Sequence, residues 1–439
     1  MRKRAALLAA ALLAASAAAQ AADGAERQPS QVRIVEEDGR YRLLVDGEPF
    51  HIRGAGGSSR LQELAARGGN SFRTWRPEPT EAATFALLDE AQRLGLKVTM
   101  GLEVARERHG FDYDDPDAVA AQLARLREEV EAYRDHPALL MWAAGNELNL
   151  EATNPAVWDA VDDIAEMIHE VDPNHPVMTT LAGIGSDTIA EIKARADSLD
   201  LIGVQLYGNI DTLPTALEET RWTGPYVVTE WGPTGHWESP ETSWGAPVED
   251  TATRKAELLQ ERYRRDIDSD RTQGLGSYVF LWGNKQERTP TWYGLFLPSG
   301  EATPGVDAMQ RLWTGSWPAN RSPSITPPLL DGRGATDSVT LAPGATVEAR
   351  VEAADPDGDA LAFRWYVLEE STATSTGGDP EDVPPEVAVA TTETAPGRIR
   401  LTAPAEAGNY RLFVEVRDGH DHAAYANLPF RVQAGAADD

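Results

Sequence analysis

Between residues 51 and about 313 the chain alternates short apolar runs with longer stretches of helical spacing. The strand candidates are 51–54, 70–75, 97–102, 139–144, 177–181, 201–206, 226–229 and 277–282. Short apolar runs bounded by turn signals and separated by helical stretches suit strands of a parallel sheet covered by helices. Helix starts are marked by Asp115-Pro116, Asn154-Pro155 and Ser186, and Gly68 and Gly95 stand where helices should end. Eight strands and eight helices over roughly 260 residues predict an α/β fold, a (β/α)8 or TIM barrel. An open doubly wound sheet competes, but no glycine-rich phosphate loop follows the first strand.

The flanks have other periods. Residues 32–36 and 41–45 alternate around Asp38-Gly39, with a second turn at Asp46-Gly47, and predict an N-terminal β-hairpin plugging one end of the barrel. Hairpin and barrel together span 32–316. A Pro-rich linker, 317–328, is expected to be extended and exposed. Residues 329–434 hold short strand-like runs (347–351, 362–367, 398–401, 410–416 and 429–432) and predict a C-terminal β-sandwich, with 371–385 a polar, flexible loop. At the start, Arg2-Lys3-Arg4, the small apolar run 5–19 and Ala19-Gln20-Ala21 predict a signal peptide over 1–21, hence a bacterial protein exported to the periplasm or secreted. That run is shorter than the ~20 residues of a membrane span.

The chemistry gathers at two strand ends. The apolar run 138–144 stops at Gly145, Asn146 and Glu147, and 226–229 stops at Glu230, Trp231 and Gly232. A carboxylate ending an apolar strand is costly unless it is bonded or used, and in a barrel that end carries the active site. Two glutamates at one mouth form a carboxylate pair. Glycosidic cleavage needs such a pair, one group to protonate the leaving oxygen and the other to attack the anomeric carbon or activate water. Arg73 ends another strand, where its charge favours an ionised neighbour. Gln205 and Tyr207 add an amide and a phenol, and Trp282 a flat ring. Of 12 Trp, those at 231, 237, 244 and 292 fall in the last loops as sugar-stacking candidates, whereas Trp142 and Trp158 read as packing.

Charge and composition narrow the partners. A net charge of −30 argues against nucleic acid and anionic membranes, and makes a strongly anionic substrate less favoured than a neutral one. With no cysteine there is neither disulfide nor thiolate chemistry. Neither His-rich metal spacing nor a Gly-x-Ser-x-Gly elbow occurs, so no metal and no cofactor is expected. Nothing in the sequence sets an oligomeric state.

The segments around Gly145-Asn146-Glu147 and Glu230-Trp231-Gly232 resemble the retaining glycoside hydrolases of clan A, and most of all the barrel domain of family 2. The resemblance covers 51 to about 315. It implies that Glu147 is the acid/base and Glu230 the nucleophile. It further implies that Asn146 holds the sugar 2-hydroxyl, that Arg73 and Tyr207 contact the nucleophile, and that Trp282 floors the sugar subsite. Residues 102–110 resemble that family's third-strand loop, which makes Glu103 and His109 substrate-site candidates. Leu102 and Gln205 depart from the pattern, where Asp and Asn are common, and the two β-domains that usually precede such barrels are absent. The C-terminal part resembles PKD or cadherin-like immunoglobulin modules through Asp355-Pro356-Asp357-Gly358-Asp359 and Trp365-Tyr366. A calcium site there competes with a plain Asx-rich turn, which is preferred. The expectation is a retaining hydrolase of a β-linked, neutral poly- or oligosaccharide, β-glucan favoured. The rivals are a transglycosidase using the same glutamates and a non-catalytic carbohydrate-binding protein.

Overall fold

The computed structural model describes residues 28–434. The expected signal peptide lies outside them, and among the described residues no helix is long and apolar enough to cross a membrane.

Strands β1 (Val32–Glu37), β2 (Arg40–Val45) and β3 (Glu48–Pro49) form the antiparallel N-terminal hairpin sheet. Its Val32, Leu43 and Val45 pack with Ile52, Leu140, Met178 and Leu201, which lie at or near the N-terminal ends of barrel strands. The hairpin therefore closes the end opposite the mouth.

The barrel closes from β4 (Ile52–Gly56), β5 (Ser71–Arg73), β6 (Lys97–Leu102), β7 (Leu139–Asn146), β8 (Val177–Ala182), β9 (Leu201–Gln205), β10 (Tyr226–Trp231) and β11 (Gly274–Val279). All eight pair in parallel. Seven overlie the expected runs. The eighth starts three residues early, and Phe280 to Trp282 leave the sheet. Gly276 (φ 122°) lies within the strand. A Cβ there would meet the Ile52 backbone at 2.2 Å, so glycine is what lets β11 approach β4 and close the barrel.

Around the sheet run α1 (Leu61–Ala66), α2 (Glu81–Leu94), α3 (Pro116–Tyr133), α4 (Ala156–Val171), α5 (Ser186–Arg195), α6 (Leu213–Thr220), α7 (Ala252–Arg262) and α8 (Pro304–Thr314). Asp115 caps α3 by accepting from the Asp117 and Ala118 amides (3.0 and 3.2 Å), with Pro116 at the first position. Gly95 ends α2 at φ 72°. Helix α4 buries Val157, Trp158, Val161, Ile164 and Ile168 on one face.

Beyond the barrel two sheets face each other. One contains Leu329–Leu330, Thr346–Arg350, Arg398–Thr402 and Thr391–Ala395. The other contains Thr340–Leu341, Ala423–Val432, Gly408–Arg417, Ala362–Glu369 and Glu386–Val387. Leu330, Ala349, Val367, Leu401, Leu412 and Phe430 fill the space between them, as expected of a sandwich. Asp355 Oδ1 accepts from the Asp357 and Asp359 amides (2.8 and 3.1 Å), the Asx turn preferred from the sequence.

The segment after the barrel is not the exposed tether its prolines suggested. Ser324–Ile325 pairs with Ala353–Ala354. Ile325 is buried among Ala252 and Leu297 of the barrel and Val351 and Val414 of the sandwich. The prolines set an extended course, and burial of Ile325 fixes it. Buried Lys255 joins the domains further, donating to Glu249 Oε1 (2.5 Å), the Thr291 and Trp292 carbonyls (2.8 Å each) and Tyr425 Oη (3.1 Å).

Candidate active site

The mouth is built from four strand ends and held by Arg73. This side chain is 1% exposed at the end of β5. Its Nη1 donates to Glu230 Oε1 (2.9 Å) and the Thr229 carbonyl (3.0 Å), and its Nη2 to Asn146 Oδ1 (2.7 Å). One planar fork thus ties β5 to β7 and β10, a task suited to guanidinium geometry.

Glu230 takes two more donors, Trp75 Nε1 on Oε1 (2.9 Å) and Tyr207 Oη on Oε2 (3.0 Å). Three donors within hydrogen-bond distance suit an acceptor-only carboxylate. Strict alternation along β10 would turn Glu230 the other way, because Tyr226 and Val228 pack outward into the helical shell. The pairing register shifts after Val228 on both sides of the strand. That irregularity resets the phase and aims Glu230 into the mouth.

Asn146 Oδ1 also accepts from Gln205 Nε2 (2.7 Å) and Thr180 Oγ1 (3.1 Å). With three donors on its oxygen the amide orientation is fixed, and Nδ2 has no partner among the described residues.

Glu147 follows at φ 52°, after Gly145 at φ 82°. A left-handed backbone at a non-glycine residue is strained. It is partly open to solvent at the mouth. Burial first, and the facing Glu230 charge second, push its carboxyl up to about 7, against the pull of Arg73, Arg106 and Arg108. The native state therefore holds this proton more tightly than the unfolded chain does. The resulting stabilisation is full below the ordinary carboxyl range and is lost as pH rises through about 7. Glu147→Gln cannot ionise, so its Tm is expected to exceed the parent's at about pH 8 and to match it at about pH 4. A Tm difference that ignores pH would contradict this assignment.

The structure brings Arg73, Asn146, Glu147, Tyr207 and Glu230 together. Two expected aromatic contacts are corrected. Trp282 is fully buried behind the mouth, against Phe296 (5.2 Å) and Trp313 (5.9 Å), with Nε1 on the Arg60 carbonyl (3.3 Å). It cannot floor a sugar, because the eighth strand ends before it and the chain turns back into the core. Trp231 is fully buried against Tyr263 (5.8 Å), since the reset that turns Glu230 inward turns its neighbour outward. Trp292 is buried as well, and Trp244 lies under Arg431.

The aromatic wall is instead Trp75, Tyr207, Phe280 and Tyr293, edge to face at 5.4–6.1 Å. Trp237, 59% exposed, stands edge-on to Tyr207 (5.6 Å) at the rim. Trp75 was missed, although it lies two residues past Arg73. Glu103 and His109 lie outside the carboxylate cluster. Glu103 is exposed and pairs with Arg76 (3.3 Å), and His109 meets Asp379 (3.1 Å). Both line a neighbouring cavity of about 600 Å³ with Arg106 and Phe111. Leu102, in place of the family's Asp, is buried in the apolar core.

The barrel is similar to that of a β-D-glucuronidase from Dictyoglomus thermophilum (18% identity, TM-score 0.50), with 65% of this chain matching 54% of that one. A GH2 β-galacturonidase from Eisenbergiella tayi bound to galacturonate matches at 14% identity and TM-score 0.51, covering 65% and 54%. A β-glucuronidase from Ruminococcus gnavus matches at 16% and 0.51, covering 65% and 53%. The chain spans about half the length of these proteins, and at such identities the likeness is one of fold. Residues 78–236, which hold Asn146, Glu147, Tyr207 and Glu230, match the model of glycosyl hydrolases family 2, TIM barrel domain, so both glutamates of the mouth fall within the part of the chain that is similar to that family.

Proposed function

We propose that the protein is a retaining glycoside hydrolase that cleaves a β-linked neutral glycan, with β-glucan the favoured substrate. Glu147 is the acid/base and Glu230 the nucleophile. The observation that carries this reading is the asymmetry of the pair: Glu230 is held by three donors, while Glu147 keeps its proton to about 7. Two carboxyl groups with environments pushed apart in this way divide the acid and nucleophile roles.

In the first step Glu230 attacks the anomeric carbon while Glu147 protonates the departing oxygen, leaving a glycosyl ester on Glu230. Esterification removes the Glu230 charge, which is one of the two causes that raise Glu147. Glu147, having given its proton to the leaving oxygen, is ionised, stays so more readily without the Glu230 charge, and serves as base by taking a proton from the water that hydrolyses the ester. Two inversions return the starting configuration. Asn146 Nδ2 is the donor for the sugar 2-hydroxyl, and exposed Trp237 offers a face for a ring to stack on.

The leader expected over 1–21 from the sequence favours export of this enzyme to the periplasm or beyond. A second reading, a β-linked uronide, is favoured by Arg106. It lies beside Glu147, spends Nε on the Asn146 carbonyl (3.0 Å), and pairs with no carboxylate among the described residues. Transglycosylation would use the same two glutamates with a sugar in place of water.

Incubating the protein with β-glucans, β-mannans, xylans, β-galactans and β-uronides, with products read by mass spectrometry, tests the proposal. Shorter products from a neutral polymer are expected, and kcat/KM should fall above pH about 7. Products from uronides alone would favour the second reading, and longer products would mean transfer. Glycan binding without any product, in parent and Glu230→Gln alike, would leave a binding protein.

A further inference from the structure

The polar segment 371–385 leaves the sandwich and lies across the barrel loops. Both oxygens of Asp379 take Arg108 (2.7 and 3.2 Å), and Oδ2 also meets His109 Nε2 (3.1 Å). The Gly378 carbonyl accepts Lys285 Nζ (2.6 Å). Glu381 Oε2 accepts the Arg288 amide (2.7 Å), and the Arg288 guanidinium reaches the Ala373 and Ser375 carbonyls. At Gly377, with φ 58°, a Cβ would stand 2.8 Å from both Arg108 and Leu150.

These partners come from the loops after β6, β7 and β11. In barrel order β6 and β11 are separated by β4 and β5, so the segment bridges the rim on the side of Arg73 and Trp75. Its anchors are not passing surface pairs, which contribute little. The side chains of Arg108 and Glu381 are 4% and 1% exposed. Ordering a polar stretch of this length costs conformational entropy, and the buried anchors offset it.

The cavity of about 600 Å³ runs from Arg106, bonded to the Asn146 carbonyl beside Glu147, to His109, held by the segment. Its size lies in the range of roughly 300–1,000 Å³ for small-ligand sites. Phe111 gives it a ring face, and Arg106 and Arg125 give it donors. Glu147 protonates the leaving oxygen, so the sugars beyond the cleaved bond lie on its side.

We infer that this cavity is the leaving-group subsite, taking one or a few glycosyl units, and that segment 371–385 of the C-terminal domain is the strap that braces the loop lining it, through Arg108 and His109. The inference rests on the proposed hydrolase reading for the identity of the leaving group. The sandwich then supports the substrate site through this strap rather than acting as a spacer.

The test is Asp379→Ala/Glu381→Ala, with Asp379→Asn as a milder partner should the double variant fold poorly. On an oligosaccharide with several leaving-group sugars, KM is expected to rise about tenfold or more. On a one-sugar aryl glycoside, kcat/KM should stay within about twofold. Equal losses on both substrates, or no change on either, would overturn the inference. In the Glu230→Gln background, where turnover is not needed, the same strap changes should weaken oligosaccharide binding about tenfold and spare a monosaccharide. If the parent turns over no glycan while this binding difference remains, the hydrolase reading fails and the strap stands. Unchanged oligosaccharide binding overturns the strap whatever the parent's activity.

Discussion

Glu230→Gln is expected to lower kcat by at least ~10⁴-fold on every glycan the parent cleaves, because the amide cannot form the glycosyl ester. The fold should be little affected, since the amide oxygen in the place of Oε1 can still accept from Arg73 Nη1 and Trp75 Nε1, while the NH2 in the place of Oε2 can donate to Tyr207 Oη. The size of the loss alone does not separate nucleophile from acid. The separation comes from two truncations tested with azide. In Glu230→Ala, azide takes the vacated space, attacks the anomeric carbon directly and yields a glycosyl azide of inverted configuration. In Glu147→Ala, the glycosyl ester on Glu230 still forms with an activated leaving group, and azide displaces it with net retention. Interchanged products would exchange the two assigned roles.

Arg73→Met should carry the largest stability cost at the mouth. The side chain is almost fully buried and serves three acceptors, Glu230, the Thr229 carbonyl and Asn146. Removing one partner of a buried pair leaves the other charge uncompensated, at a cost of about 3–5 kcal/mol. Activity should fall as well, since Glu230 and Asn146 lose a common anchor. Arg73→Lys is expected to recover little, because an ammonium cannot reproduce the fork. Arg73→Met/Glu230→Gln should be more stable than Arg73→Met alone, since the unpaired charge is gone. Chemical denaturation of the four proteins reads this directly, and additive losses would show that the pair is not coupled.

Much of the frame was legible because burial imposes simple patterns. Seven apolar runs became strands where the period placed them, and the ends at Arg73, Asn146, Glu147, Tyr207 and Glu230 meet in one mouth. What was not legible has local or long-range causes. Gly276 looks like a turn residue in one dimension, and only the approach of Ile52 shows why it sits in a strand. The register shift in β10 decides which of Glu230 and Trp231 faces the mouth, and no residue type announces it. Trp282 carries an aromatic signal that suits a sugar floor and a core equally well, and the early end of β11 settles it for the core. Trp75 was within reach, since period-2 spacing puts it on the side of Arg73. The strap over 371–385 was not, because its composition reads as flexible and its partners lie up to 271 residues away.

The central claim is that Glu230 forms a covalent bond to the sugar while Glu147 supplies the proton. A 2-deoxy-2-fluoro-β-glycoside with an activated leaving group slows breakdown of the ester, so the intermediate accumulates on the enzyme and can be mapped by peptide mass spectrometry. One added fluoroglycosyl unit is expected on the peptide containing Glu230, and none on the peptide containing Glu147. An adduct on Glu147, or turnover of the parent glycan with inversion at the anomeric carbon, would contradict it.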